Sequence, residues 1–111
     1  MSVNEFKHIA QPGELKWESM GDPLRIFKWI THPETQQPQE RFCAFELFAL
    51  TADGKTATKF EVRVSEGAVG DELEAQTDQR EFFDLDVAAQ WLREQVTLMA
   101  GLGFHPDRRP Q

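Results

Sequence analysis

The stretch Arg41–Leu50, RFCAFELFAL, constrains the fold more than any other part of this 111-residue chain. A strand on a small sheet should alternate apolar and polar side chains, because successive residues point to opposite faces. Here Cys43, Phe45, Leu47 and Ala49 would fill one face. Phe42, Ala44, Phe48 and Leu50 would fill the other, with only Glu46 to wet it. The fold must cover that second face or leave it as an apolar patch.

The residues that follow suggest how the first face is used. Asp53-Gly54 reads as a two-residue type I′ connection between strands 41–52 and 55–64. A turn that tight sets Leu47 against Phe60, Phe45 against Val62 and Cys43 against Val64. The apolar set Phe60, Val62, Val64 then shares a side with Cys43, Phe45 and Leu47, which is the expected core face. On the other side Phe48 would meet Lys59, Glu46 would meet Glu61, and Arg63 would lie beside Ala44.

Upstream, LRIFKWIT (24–31) reads as a strand with Ile26, Lys28 and Ile30 on one face and Phe27 and Trp29 on the other. THPETQQPQE reads as a loop, since Pro33 and Pro38 do not suit the interior of a paired strand. GELKWESM, bracketed by Pro-Gly and Gly-Asp-Pro turn signals, gives a short strand around Leu15 and Trp17. Downstream, REFFDL is a short strand candidate. Asp86 then stands as an N-cap before a helix over 87–101, in which Ala88, Trp91, Leu92, Gln95, Val96 and Met99 recur at helical spacing. Leu98 and Leu102 widen that stripe, and Gly101 suits the left-handed residue at a helix end.

The expected architecture is α+β: an antiparallel sheet of four to five strands, a meander, with one long C-terminal helix packed on one face. A single domain should span residues 1–104, with the first 20 weakly patterned and 105–111 a mobile polar tail. This length can bury a core without disulfides or a structural metal. The lone Cys43 excludes an internal disulfide and predicts a reducing, cytoplasmic setting. No signal peptide is expected at the N-terminus. No apolar run reaches the roughly 20 residues of a membrane helix.

The net charge of −7 is local. Ser65–Asp86 holds eight acidic residues against Arg80 alone, and the remaining charges cancel. Such a block repels phosphates and membrane surfaces and attracts basic partners.

No motif points to a reaction. His8, His32 and His105 show no ligand spacing and Cys43 has no cysteine companion, so neither metal nor cofactor is expected. Cys43 is predicted to face the core, where a thiol is inert. The carboxylate pairs Glu72/Glu74 and Asp84/Asp86 fall in an expected loop and at a helix start, without a cleft to tune them. An enzyme is therefore not expected; a small one would need a site with no recognisable signature. The leading expectation is an acidic interaction module that forms a homodimer through Trp29, Phe42, Phe48 and Leu50. It would offer Asp71, Glu72, Glu74 and Asp78 to a basic protein partner. The alternative is a single-strand nucleic-acid binder using Phe48, Lys59 and Arg63, which a pI of 4.9 disfavours.

Overall fold

The computed structural model describes residues 14–106. Its five strands are β1 (Lys16–Ser19), β2 (Leu24–Thr31), β3 (Pro38–Thr51), β4 (Ala57–Ala68) and β5 (Gln76–Phe82), followed by one helix, α1 (Leu85–Gly101). All pairings are antiparallel. The expected α+β sheet-and-helix architecture is therefore the one observed.

The doubly apolar strand is the centre of the sheet. β3 has β4 along one edge, and both β1 and β2 along the other. Lys16 to Ser19 lie opposite Thr51 to Phe48, and Leu24 to Thr31 lie opposite Phe45 to Pro38. Between them the chain buckles at Met20–Pro23, where Gly21 has φ 153° and the Ser19 hydroxyl donates to Gly21 O at 2.8 Å. β1 and β2 are thus one interrupted edge strand, and the sheet is four strands wide. Pro38 opens β3 at its first position, where its missing N–H costs nothing, so the strand starts before the expected Arg41.

The turn after β3 differs from the two-residue form expected. Residues 52–56 make the connection, and the ladder shifts between Leu50 and Thr51. Asp53 Oδ1 accepts from Lys55 N and Thr56 N, both at 2.8 Å, and Thr51 Oγ1 accepts from Gly54 N at 2.9 Å. These side-chain bonds replace ladder pairs and move the register by two residues: Phe45 faces Val64, Leu47 faces Val62 and Ala49 faces Phe60. A shift of two keeps every side chain on its expected face. It also removes the expected carboxylate clash, since Glu46 now faces Arg63 and Glu61 faces Phe48.

Two other boundaries move. The helix begins at Leu85 because Asp84, not Asp86, is its N-cap: Asp84 Oδ1 accepts from Asp86 N at 2.8 Å and Val87 N at 3.2 Å. The helix runs through Gly101, and the left-handed residue is Gly103, φ 102°. The acidic segment is less of a loop than expected. Only residues 69–75, with a 3₁₀ turn at Glu72–Glu74, connect β4 to β5, because a free β4 edge recruits Gln76–Phe82 into the ladder.

The core lies between the sheet and α1. Ile26, Cys43, Phe45 and Phe104 are buried together, with Val64, Leu92, Val96 and Met99 packed against them. The helix lies over β3, β4 and β5 and not over β1 or β2, so Met20 and Leu24 remain exposed on the same face. Leu98 and Leu102, expected to widen the buried stripe, are also exposed. Past the helix, Phe104 turns back into the core and His105 pairs with Phe27 through N···O contacts of 2.6 and 2.7 Å. Lys28 secures this return, its Nζ 3.3 Å from Leu102 O and 4.7 Å from the Phe104 ring centroid.

Candidate functional site

The face of the sheet away from α1 collects the residues expected to form a binding surface. Cross-strand partners in an antiparallel ladder share a face. The row Trp17–Leu50–Lys59 therefore lies beside Ser19–Phe48–Glu61–Glu81 and Glu46–Arg63–Gln79. Trp29 lies further along β2, opposite Glu40. All four expected interface residues, Trp29, Phe42, Phe48 and Leu50, are on this face, and so are Lys59 and Arg63.

Their environments are not equivalent. Phe42 is only 5% exposed. Its ring edge lies so close to Gly67 that a Cβ there would approach it to 3.3 Å. It is a packing residue within the chain and not an open contact. Phe48 and Leu50 are half-buried. The Arg63 guanidinium stacks over Phe48, 3.9 Å from the ring centroid, and its Nε donates to Glu61 Oε1 at 3.2 Å. Glu61 is 3% exposed, an ionisable side chain held under that stack. Lys59 Nζ lies 2.9 Å from Glu81 Oε1 and 6.0 Å from the Trp17 ring centroid. The Trp29 indole N–H is buried without an acceptor among the described residues, a cost of about 1–3 kcal/mol.

This geometry weighs on the nucleic-acid reading. Phe48, Lys59 and Arg63 do come together. However, the face of Phe48 that would stack a base carries Arg63, and both cations are paired with carboxylates. A phosphate would have to displace Glu61 and Glu81.

The expected acidic surface is split. Asp71, Glu72 and Glu74 are exposed in the β4–β5 connection. Asp78 lies on β5 opposite Val64 and therefore on the helix side of the sheet. A polar cleft of about 370 Å³ beside the connection includes His32, Arg41, Glu66, Asp71 and Glu74, where Arg41 and Glu66 approach to 3.8 Å.

Elsewhere, chemistry-bearing groups have structural partners. Cys43 is fully buried, and burial, followed by the nearby Glu66 charge, pushes its thiol up to about 11. His32 Nδ1 accepts from Glu34 N at 3.1 Å and Thr35 N at 3.2 Å, which holds the β2–β3 loop. Among the described residues no group of three His, Cys, Asp or Glu side chains could hold a metal. His8 lies outside them. No described helix is long and apolar enough to cross a membrane.

Sequence reasoning put Asp78 in the acidic segment and Arg80 at the start of the strand candidate REFFDL, and missed that one strand carries both, because no periodicity marks QTDQ as a strand. It also missed that Trp91 of α1 packs over β5, 5.7 Å from the Phe82 ring centroid with Arg80 at 5.4 Å.

The fold and this surface define an α+β domain with one sheet face backed by a helix and the other presenting paired charges among aromatics. Compared with known proteins, the chain matches no family model, and neither a curated protein nor a solved structure shows a significant similarity to it.

Proposed function

We propose that the protein is a non-enzymatic interaction module of the cytoplasm that self-associates through the second sheet face, with Trp29, Phe48 and Leu50 in the contact. The observation that carries this reading is the apolar centre of the second face: half-buried Phe48 and Leu50 lie among Lys59–Glu81 and Arg63–Glu61 pairs. A chain with a net charge of −7 repels its own copies in general. A face on which Lys59 and Arg63 offset Glu81 and Glu61 is one where that repulsion is weakened and where apolar burial can dominate. The exposed Asp71, Glu72 and Glu74 then remain free for a basic protein partner.

Light scattering over a dilution series tests the face. Phe48→Glu is expected to halve the solution mass while leaving the circular dichroism unchanged; an unchanged mass refutes the reading. Neutralising Asp71, Glu72 and Glu74 should abolish capture of a basic partner without affecting the fold.

A further inference from the structure

The outer edge of β5 is an open and regular strand edge. Gln76 to Glu81 are all exposed, and among the described residues no strand pairs with that edge. The strand has no Pro, no Gly and no bulge in its pairing with β4. The other edge of the sheet is protected by contrast: β1 and β2 are broken at Met20–Pro23, and His105 pairs with Phe27. Natural sheets usually blunt a free edge, because its open N–H and C=O groups accept another strand.

The charges on β5 form a self-complementary pattern. Asp78 and Arg80 flank Gln79, the midpoint of the strand, and both lie on the helix side of the sheet. Neither makes an ion pair among the described residues. A two-fold axis perpendicular to the sheet through Gln79 sets β5 antiparallel to its copy with all seven residues overlapped. Gln76 then faces Phe82, Thr77 faces Glu81, and Asp78 faces Arg80, each pair occurring twice. Moving the axis to Asp78 or to Arg80 sets like charges in direct opposition, which destabilises the ladder. Shifts by a single residue would turn the two helices to opposite faces and are incompatible with that axis. The same charges therefore reject the neighbouring registers and favour the fully overlapped one.

Apolar side chains frame this edge. Trp91 places one flank of α1 above β5, and helical spacing puts Val87 and Leu98, both more than half exposed, on the same flank. Leu73 and Phe83, 99% and 86% exposed, stand at the two ends of β5. In the overlapped register the Val87–Trp91–Leu98 flanks of the two helices lie on the same side of the joined sheet.

We infer that β5 pairs antiparallel with β5 of a second copy about Gln79, forming one continuous sheet across two chains held by reciprocal Asp78–Arg80 pairs. This interface is separate from the second face and does not rest on it. Charge exchange with light scattering tests it. Asp78→Arg alone opposes arginine to arginine across the axis, and Arg80→Asp opposes aspartate to aspartate. Each is expected to halve the wild-type mass. An equimolar mixture of the two variants matches every pair again and should restore that mass, as should the double variant Asp78→Arg/Arg80→Asp. Recovery in the mixture shows that both single variants remain folded. Wild-type protein with a mass of 12.8 kDa at every dilution, or single variants that keep the wild-type mass, would overturn the inference. Phe48→Glu separates the two interfaces: loss of mass there, with none on charge exchange, leaves the face and removes the edge.

Discussion

Phe45 and Phe48 belong to the same strand, three residues apart, and leave it on opposite faces. Replacing each with alanine therefore compares the two faces with chemistry and strand held constant. Phe45 is 1% exposed and packs with Ile26, Cys43 and Phe104 under Leu92, Val96 and Met99. Truncation there removes a buried ring and leaves a cavity that the sheet cannot collapse, a loss of about 3–5 kcal/mol. A domain of this size has a total stability of about 5–15 kcal/mol, so Phe45→Ala should remove a large fraction of it. Phe48 is half-buried, so truncation forfeits about 1 kcal/mol of transfer free energy. A further loss of about 0.5–1 kcal/mol follows from the stacked Arg63 guanidinium. Arg63 keeps its bond to Glu61, so no buried charge is orphaned. Urea unfolding followed by circular dichroism should show the larger midpoint shift for Phe45→Ala at an unchanged m-value. Equal losses, or a larger one at Phe48, would refute the assignment of the helix-covered face as the core. If a second copy covers the other face, the cost of Phe48→Ala should grow with protein concentration.

Gly67→Ala should destabilise by about 1–3 kcal/mol, because its Cβ would sit 3.0 Å from Ala75 Cα and Cβ and 3.3 Å from the Phe42 ring; a thermal midpoint equal to wild type would contradict that packing. Backbone N–H bonds from Thr56 and Lys55 lower the Asp53 carboxyl from 3.8 to about 2, so its ionised form stabilises the fold above pH 3.8 and that contribution fades as the pH falls through about 2. The urea-midpoint gap between wild type and Asp53→Asn should accordingly close on acidification, and a pH-independent gap would rule out the turn as its source. At neutral pH the buried Cys43 thiol should react with a maleimide only as fast as the chain opens; rapid labelling of the native protein would show that the core is not closed over it.

Several features were legible in the residues because they depend on local periodicity. Alternation along Arg41–Leu50 and Lys59–Val64 assigned each side chain to its face, and the helical stripe of Ala88, Leu92 and Val96 located the covering element. Those assignments held even though the hairpin register was displaced, because a displacement of two preserves the alternation. The register itself was not legible. It depends on whether Asp53 and Thr51 spend their oxygens on backbone N–H groups of the turn, a competition that a Gly-containing dipeptide does not resolve. The helix start moved for a similar reason: Asp84 and Asp86 are both competent caps, and it is the Asp84 side chain that accepts from Asp86 N and Val87 N.

By itself, the sequence determined which side chains share a face, that one helix would cover only one of those faces, and that the excess charge would be confined to one segment. Tertiary structure alone decided what those side chains meet. It put Phe42 into packing against Gly67, buried Glu61 beneath Arg63, and drew QTDQREF onto the β4 edge, where Asp78 and Arg80 became charges on an open strand. Face and period are properties of a strand's own geometry. Burial, ion pairing and edge exposure depend on residues distant in sequence, and these are fixed only when the strands are assembled.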